Sequence, residues 1–294
     1  MITRPLGTTG LAVPPVGLGT GRIGGDDVTD AAAEALVRRA LELGAVLLDA
    51  ARSYGRAEER LGRALAGGAR DRAVVTTKVG YGIPGHADWT GGCIAAGVDA
   101  ALARLGTDRI DVVFLHSCPL DVLRRDDVLG ALEGAVRAGK VRAAGYSGEG
   151  DALAWAVASG RFQVIQCSVS ACDQGSLEGP VAEAARRGMG VLAKRPLANA
   201  PWRFGERPAG DEAEPYWERL RAMALDPGPH AWDALFLRFA AFAPGVSAAL
   251  VGTRSAAHLE AAVRAAEQGP LPEGDARRVR EAFRDAGAGW PGRI

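Results

Sequence analysis

The feature that most constrains the fold is a unit that recurs along most of the chain: an amphipathic helical stretch, a glycine and a short apolar run. In the first copy, apolar residues recur at helical spacing after Asp30, Gly44 suits the helix exit, and an apolar run ends at Asp49. Continuous apolar strands joined by helices are typical of a parallel sheet, and eight of them predict a closed (β/α)8 TIM barrel. The eight apolar runs start at Pro15, Ala45, Ala73, Ile110, Val141, Phe162, Gly190 and Gly245.

Three segments lie outside this repeat. Residues 2–13 are typical of a hairpin that precedes the barrel. Residues 199–229 are rich in Pro, Gly and charged residues, which predicts a long loop after the seventh strand with a short helix around 217–224. A last helix is expected near 275–286. Because an α/β barrel can reach roughly 250 residues or more as one unit, we expect a single domain over 1–294 rather than two.

Charge and composition argue against several classes of function. Thirty-five acidic residues balance thirty-five basic ones, so no bulk positive field would recruit nucleic acid or an anionic membrane. We find no apolar run near 18 residues and no signal-peptide pattern, which favours a cytoplasmic protein. Without C-x-x-C spacing, the cysteines are typical of buried thiols in a reducing compartment: Cys93, Cys118, Cys167 and Cys172. The histidines form no metal-binding pattern, so no metal is expected: His86, His116, His230 and His258.

A glycine motif after the first strand offers a competing interpretation. Gly19–Gly24 matches the G-x-G-x-x-G pattern of a Rossmann dinucleotide site, and Asp49 ends the next strand. In a Rossmann site the glycines open the helix directly, but here the helix is expected only from about residue 29. The ribose-binding acid should also follow after about 20 residues, whereas Asp49 lies 30 residues beyond Gly19. We therefore favour a tight loop between strand and helix.

Ionisable residues end three consecutive predicted strands: Asp49, Lys78 and His116. Tyr54 follows Asp49 by five residues, in the next loop. Catalytic groups of (β/α)8 enzymes gather at the carboxyl ends of their strands, so these four side chains are candidates for one active site. The alternative for each residue alone is structural, since a strand-end Asp can cap a loop and a lone His is more often a satisfied core residue.

The four residue types suit proton transfer to a carbonyl oxygen. An ammonium about 4 Å from a phenolate, at an effective dielectric near 20, stabilises it by roughly 4 kcal/mol, which favours a tyrosine that gives up its proton. Asp49 would hold Lys78 in its charged form, and His116 would orient the carbonyl oxygen beside Tyr54. Lys78 is one of only three lysines in a chain that otherwise uses arginine, which indicates a need for a compact, titratable ammonium.

Three motifs carry a resemblance to a known family. Asp49-AARS-Tyr54-Gly55, Thr76-Thr-Lys78 and Phe114-Leu-His116 resemble the aldo-keto reductases, in the same chain order. The resemblance extends from Leu18 to the helix after Gly252-Thr-Arg-Ser. It implies a (β/α)8 barrel, a nicotinamide dinucleotide held without a Rossmann domain, and a catalytic tetrad of Asp49, Tyr54, Lys78 and His116 with Tyr54 as the general acid.

The resemblance also implies a cofactor site. Its residues would be Gly19, Thr20, Gly21, Asp49, Ser147, Gln166, Lys194, Arg195, Pro196, Leu197, Gly252, Thr253, Arg254 and His258. Arg254 and the N-terminus of a helix at 255–267 resemble the adenosine-phosphate site, which favours NADP(H) over NAD(H).

The chain departs from the family pattern at several of these positions. Gly148 stands where many members have asparagine, and His258 and Ala262 replace residues that are often arginine and asparagine. Lys194 stands where many members place an aromatic residue against the nicotinamide. A positive charge at that position would change the electronics of the ring face, and the equal alternative is a lysine that reaches a phosphate.

Aromatic and apolar residues near the expected catalytic face are candidate walls of a substrate pocket, with local packing as the alternative: Tyr81, Trp89, Cys118, Trp202 and Trp217. The expected reaction is hydride transfer from NAD(P)H to a small aldehyde or ketone. Gly148 and the strand exit at 168–173 leave open a second function, a sugar or lactol dehydrogenase. A third is a regulatory subunit that binds the cofactor without rapid turnover.

Overall fold

Eight parallel strands close into a barrel, preceded by a two-stranded antiparallel hairpin, in this computed structural model, which describes residues 1–287 and 289–293. The strands are β1 (Arg4–Pro5), β2 (Ala12–Val13), β3 (Val16–Gly19), β4 (Leu47–Asp49), β5 (Val74–Val79), β6 (Ile110–His116), β7 (Val141–Ser147), β8 (Val164–Ser168), β9 (Gly190–Lys194) and β10 (Ala248–Gly252). Barrel neighbours are consecutive in the chain, and β10 closes the ring against β3. The predicted (β/α)8 barrel and hairpin are confirmed.

Helices connect the barrel strands. They are α1 (Asp30–Glu42), α2 (Ala57–Leu65), α3 (Gly91–Leu105), α4 (Leu120–Leu123), α5 (Asp126–Arg137), α6 (Gly150–Ser159), α7 (Ala182–Arg186), α8 (Glu214–Met223), α9 (Trp232–Ala241), α10 (Ala256–Glu267) and α11 (Glu273–Gly287). Short 3-10 turns cover Thr20–Ile23, Ala69–Arg72 and Pro201–Arg203, and a π turn covers Leu177–Val181. Thr29, Thr90 and Ser255 are hydroxyl N-caps of α1, α3 and α10, and each accepts a backbone N–H of the first turn.

Two hydrophobic clusters occupy the two faces of the barrel wall. Leu47, Val112 and Phe114 belong to a cluster that also contains Leu6 and Val13 of the hairpin segment. The residues that alternate with these along the strands pack in a second cluster together with the helices. The hairpin therefore covers the interior at the end where the strands begin, which leaves the carboxyl ends of the strands as the other end of the barrel.

The segments outside the repeat also match the sequence prediction, although their boundaries are shifted. The helix expected around 217–224 is α8, which begins three residues earlier at Glu214 because Pro215 suits the first turn of a helix. The long connection after β9 spans the predicted loop at 199–229. Within the described ranges, no helix is both long and apolar enough to cross a membrane. The predicted single domain extends to residue 294, and positions 288 and 294 lie outside the described residues.

The competing dinucleotide motif does not open a helix. Gly19 ends β3, a 3-10 turn covers Thr20–Ile23, and α1 begins only at Asp30. The closed barrel likewise differs from the open sheet that a Rossmann site requires.

Candidate active site

The carboxyl ends of three neighbouring strands bring Asp49, Lys78 and His116 to one end of the barrel. Asp49 ends β4, Lys78 is the penultimate residue of β5, and His116 ends β6. The Lys78 ammonium lies 2.6 Å from Asp49 Oδ2 and donates to the backbone oxygen of Ala50 at 2.8 Å. The two side chains are only 1% and 5% exposed. A buried ion pair thus forms at the place that the strand ends predict.

The other oxygen of Asp49 links the ion pair to the far side of the barrel. Asp49 Oδ1 accepts hydrogen bonds from Thr76 Oγ1 at 2.7 Å and from Gln166 Nε2 at 3.0 Å. Gln166 Oε1 in turn accepts from Ser147 Oγ at 2.9 Å. Both carboxylate oxygens therefore have partners, which a buried charge requires. Gln166 and Ser147 are in the cofactor site that the resemblance implies, and here their hydrogen bonds connect them to Asp49.

Tyr54 lies between the lysine and the histidine. The Lys78 ammonium is 4.9 Å from the centroid of the Tyr54 ring. The ring of His116 is nearly perpendicular to that ring, with the two centroids 6.2 Å apart. The sequence places Tyr54 in the loop after β4 but does not orient it. The structure brings all four residues of the predicted tetrad together.

The glycine motif after β3 shapes the space for Tyr54. A Cβ at Gly24 would lie 1.6 Å from the backbone oxygen of Tyr54, so only glycine allows the two loops to approach this closely. Arg56 N donates to Gly24 O across the same contact at 2.9 Å. Gly21 faces the ring of Tyr54, and a Cβ there would lie 3.7 Å from the ring atoms, an ordinary van der Waals distance. The motif therefore serves the approach of the tyrosine loop, and Gly24 is the position that requires glycine.

Burial and neighbouring charges set the protonation of the lysine. Burial by itself would lower the pKa of Lys78, but the Asp49 carboxylate and the Tyr54 phenol more than offset it, and the pKa is raised above its ordinary value. Lys78 is therefore an ammonium at neutral pH.

The pKa of His116 is shifted so that its uncharged form is favoured, in contrast to Lys78. Burial, together with the positive charges of Lys78 and Lys194, lowers the pKa of His116 from its ordinary value to about 3. The imidazole is therefore neutral at physiological pH. A neutral ring carries one N–H, so it can donate a single hydrogen bond to a bound oxygen.

Lys194 ends β9 with its side chain turned into an ion pair. Its ammonium lies 3.2 Å from Glu149 Oε1, and the two side chains are 18% and 3% exposed. Burial lowers the pKa of Lys194, and Glu149 opposes that shift. Glu149 Oε1 also accepts from Ser168 N at 2.7 Å. Sequence reasoning missed Glu149, because the residue lies in a loop and its partner is 45 positions away.

The segment after β9 has an unusual backbone. Arg195, Ala198, Asn199 and Ala200 all have positive φ, a conformation that non-glycine residues seldom adopt. Arg195 donates to the backbone oxygen of Arg293 at 2.6 Å, as does Ser168 Oγ at 2.7 Å. Pro196 is buried, and Leu197 packs both against the hydrophobic cluster between barrel and helices and against another cluster that α8, α9 and α11 share. The C-terminal segment thus contacts the strand ends close to the predicted cofactor residues.

Other predicted cofactor residues lie near the pairing of β10 with β3, which closes the barrel. Gly252 and Gly19 are paired at the ends of β10 and β3, and Thr20 Oγ1 donates to Asp49 O at 2.9 Å. Ser255 caps α10 by accepting from His258 N, and Thr253 Oγ1 accepts from Ser255 N. This arrangement leaves a helix N-terminus at the barrel edge without an acidic residue in its first turn.

Arg254 stands beside that helix N-terminus. Its guanidinium is 2.7 Å from Asp27 Oδ2, and both side chains are about two-thirds exposed, at 65% and 68%. An exposed ion pair contributes little to stability, about 0–1 kcal/mol. Arg254 can therefore release Asp27 and bind an anion for which it has higher affinity.

Two of the predicted pocket residues border the tetrad. Tyr81 OH is 2.8 Å from His116 Nδ1, and the ring of Trp89 packs on Tyr81 with ring centroids 5.7 Å apart. Cys118 is 1% exposed in the core, and burial raises the pKa of its thiol to about 12. Cys118 therefore offers almost no surface to a ligand.

The other two predicted pocket residues line a different space. Trp202 stacks on Trp232, and Trp217 donates its indole N–H to Phe204 O at 3.0 Å. Trp202 and Trp217 share the wall of a cavity of about 390 Å³ within the long connection after β9. None of the tetrad residues lines this cavity.

Besides the pairs Gln166–Asp49 and Lys194–Glu149, two further contacts of the site lay beyond the sequence prediction. Thr76, the first residue of the T-T-K motif, holds Asp49, and its only sequence signal is the two-residue spacing that puts it on the same strand face as Lys78. The Tyr81–His116 contact had no signal in the sequence, since Tyr81 is expected there only as a pocket wall.

The described residues contain no cluster of three or more His, Cys, Asp or Glu side chains that could hold a metal ion.

Comparisons with known proteins agree with this geometry. A 6-dehydroglucose reductase of Novosphingobium aromaticivorans is 37% identical over 155 residues, which is 49% of this chain and 50% of the relative. A 6-dehydroglucose reductase of Agrobacterium fabrum is 35% identical over 143 residues, 44% of this chain and 48% of the relative. The chain thus spans about half the length of these relatives in each match.

Solved structures match over nearly the whole chain. An aldo-keto reductase of Pseudomonas aeruginosa superposes with a TM-score of 0.72 at 31% identity, over 91% of this chain and 95% of the other. The aldo-keto reductase AKR11C1 of Bacillus halodurans in its holo form has a TM-score of 0.84 at 25% identity, over 96% of both chains. The model of the aldo/keto reductase family matches residues 15–284. The resemblance inferred from the three motifs is confirmed, and this chain belongs to the aldo/keto reductase family.

Proposed function

We propose that the chain is an NADP(H)-dependent oxidoreductase that transfers hydride between the nicotinamide and an aldehyde or ketone, with Tyr54 as general acid and base. The observation that supports this best is the buried Lys78–Asp49 ion pair beside the Tyr54 ring and the neutral His116. A positive charge held against a phenol, next to a neutral hydrogen-bond donor, is an arrangement for proton transfer to oxygen.

The residues at the barrel mouth fit a nicotinamide dinucleotide. Ser147 at the end of β7 and Gln166 in the middle of β8 place hydroxyl and amide groups where a carboxamide would find both donors and acceptors. The helix N-terminus at the start of α10 and the exposed guanidinium of Arg254 suit a phosphate. When bound, the cofactor supplies or accepts the hydride.

In the reductive direction, the proton comes from this chain. As hydride reaches the carbonyl carbon, the carbonyl oxygen gains negative charge and takes the proton of the Tyr54 hydroxyl. Lys78 stabilises the phenolate that remains, and Asp49 keeps Lys78 charged and in place. His116 donates a hydrogen bond to the same oxygen and so orients it. In the oxidative direction the phenolate of Tyr54 removes the hydroxyl proton instead.

We favour NADP(H) over NAD(H) because of Arg254. A guanidinium beside a helix N-terminus binds a 2′-phosphate through charge-assisted hydrogen bonds, and NAD(H) has no such group. The competing contact with Asp27 is exposed and therefore weak.

A sugar carbonyl is the substrate class that the relatives favour. Both reductases named above are called 6-dehydroglucose reductases, a name that describes the reduction of an oxidised sugar. The same residues would serve a sugar or lactol dehydrogenase, since proton transfer through Tyr54 is reversible.

The experiment measures both directions on one substrate panel. Simple aldehydes and oxidised sugars are offered with NADPH, and alcohols and aldoses with NADP⁺, and cofactor absorbance is followed. Faster turnover of a carbonyl with NADPH supports the reductase, and faster turnover of an aldose with NADP⁺ supports the dehydrogenase. Stoichiometric cofactor binding without turnover of any member of the panel would contradict both and favour a regulatory subunit.

A further inference from the structure

Tyr81 makes two contacts with His116 at once. Its hydroxyl oxygen lies 2.8 Å from His116 Nδ1. The two rings also stack, with centroids 5.7 Å apart and planes 24° from parallel. Tyr81 therefore restrains both the position of the imidazole and the hydrogen bond that its Nδ1 makes.

The direction of that hydrogen bond decides which nitrogen of His116 carries the proton. A neutral imidazole has one N–H and one acceptor nitrogen, and His116 is neutral because burial and two nearby lysines disfavour its charged form. Within the described part of the chain, His116 Nδ1 is the hydrogen-bond partner found for the Tyr81 hydroxyl. If the hydroxyl accepted from Nδ1–H, its own proton would find no acceptor among the described residues and would be left to solvent at this half-buried position. Donation from Tyr81 to Nδ1 satisfies both groups.

We propose that Tyr81 is a positioning residue whose hydroxyl donates to Nδ1 and so holds His116 in the tautomer with its proton on Nε2. Nε2 lies on the opposite side of the ring from Nδ1, so its N–H points away from Tyr81. The His116 and Tyr54 rings are nearly perpendicular, with their centroids 6.2 Å apart. An Nε2–H in this tautomer is available to a carbonyl oxygen that Tyr54 protonates, and this last step rests on the proposed function.

The surroundings of Tyr81 hold its ring in place. The ring of Trp89 packs against that of Tyr81 at an interplanar angle of 64°, and Trp89 N donates to Gly80 O at 2.8 Å. Gly80 has a φ of +146°, and a Cβ there would lie 2.2 Å from the Trp89 ring. Trp89 itself adopts a positive φ of 58°. Tyr81 is thus enclosed between His116 and a Trp89 segment that needs glycine at position 80, which is a specific arrangement rather than a chance surface contact.

Nuclear magnetic resonance tests the tautomer without any substrate. With histidine labelled by 15N in the ring, two-bond 1H–15N spectra distinguish a protonated from an unprotonated ring nitrogen, and His116→Gln assigns the His116 signals among the four histidines. We expect wild-type His116 to show a protonated Nε2 and an unprotonated Nδ1. In Tyr81→Phe, which keeps the stacked ring, we expect a mixture of the two tautomers. A proton on Nδ1 in the wild type, or an unchanged spectrum in Tyr81→Phe, would overturn the proposal.

Steady-state kinetics tests whether the hydrogen bond from Tyr81 affects turnover. In Tyr81→Phe we expect kcat to fall about tenfold while KM stays within about twofold, because the lost hydrogen bond matters most in the transition state. Tyr216→Phe is the matched control, since the buried Tyr216 hydroxyl has no hydrogen-bond partner among the described residues. An equal loss of kcat in both variants would overturn the positioning role.

The two readouts separate this proposal from the proposed function. A wild-type protein that turns over no carbonyl contradicts the function. If its His116 still loses the Nε2–H tautomer in Tyr81→Phe, the control of the tautomer by Tyr81 is supported on its own.

Discussion

The ammonium of Lys78 and the carboxylate of Asp49 form an ion pair of 2.6 Å that is almost wholly removed from solvent. Its charges come from adjacent strands, and Asp49 also binds Thr76 and Gln166. Breaking a buried pair by removing one partner costs about 3–5 kcal/mol, because the other charge stays buried without compensation. The pair therefore contributes to the fold as well as to the chemistry of Tyr54.

Replacing the lysine separates these two contributions. Lys78→Met should lower the free energy of unfolding by about 3–5 kcal/mol and lower kcat by about 10²-fold or more. The double variant Asp49→Asn/Lys78→Met has no charge at either of these two positions and keeps an amide for the Thr76 and Gln166 contacts. We expect it to regain most of the lost stability but none of the activity. Denaturant unfolding and steady-state kinetics of the three proteins test this, and recovery of activity in the double variant would rule out the role given to Lys78.

The hydroxyl of Tyr54 should matter for turnover and little for binding. Tyr54→Phe keeps the ring that Lys78 and His116 contact, but it has no proton to give. We expect kcat to fall at least about 10²-fold, the usual scale of general acid catalysis, with the Kd for NADPH nearly unchanged. Stopped-flow turnover and fluorescence titration measure the two quantities. Near-normal turnover in Tyr54→Phe would remove Tyr54 from the mechanism.

Arg254 and Asp27 should affect the affinity for NADPH in opposite directions. Arg254→Ala should weaken NADPH binding about 10-fold or more, since a hydrogen bond to a charged group contributes about 1.5–3 kcal/mol, and should leave NADH binding unchanged. Asp27→Ala frees Arg254 from its ion pair and should tighten NADPH binding slightly. Titrations with both cofactors check this. An Arg254→Ala protein that retains its preference would show that the phosphate binds elsewhere.

The depressed pKa of His116 should appear in the acid stability of the fold. Its ordinary pKa is 6.5 and its folded value is about 3, so between these values the unfolded chain binds the proton and the native protein does not. Stability from the neutral ring is therefore present above pH 6.5 and is lost as the pH falls toward 3, by at most about 1.4 kcal/mol per pH unit.

The comparison that isolates this effect is between the wild type and His116→Gln. Asp173, whose pKa burial raises to about 6, titrates in the same window with the opposite sign in both proteins. The difference between the two curves of unfolding free energy against pH should therefore slope between pH 3 and 6.5 and level off above. His86→Gln, at an exposed loop position, controls for the substitution itself. Parallel curves for wild type and His116→Gln would contradict the neutral buried imidazole.

Gly24 should tolerate no side chain. In Gly24→Ala the new Cβ would overlap the backbone oxygen of Tyr54 at 1.6 Å, so the tyrosine loop must move. We expect a loss of about 1–3 kcal/mol in unfolding free energy together with a large loss of kcat. Gly130→Ala, in α5 with open space around it, should instead be neutral or stabilising by up to about 1 kcal/mol. Equal behaviour of the two variants in thermal unfolding would contradict the close approach of the loops.

The sequence by itself determined the barrel and the order of the strand-end residues. Hydrophobic periodicity and glycine exits are local signals, and each of the eight apolar runs became a strand near its predicted place. Because parallel strands align their carboxyl ends, Asp49, Lys78 and His116 had to approach one rim once the barrel was closed.

Only the tertiary structure decided which side chains meet there. Gln166 binds Asp49 from 117 positions away, Lys194 pairs with Glu149, and Tyr81 binds His116. Such pairs depend on strand register, loop path and side-chain rotamer, which are set by packing across the whole barrel rather than by neighbours in the chain. For the same reason the glycines after β3, which match a nucleotide motif in sequence, are explained in the structure by the loop that carries Tyr54.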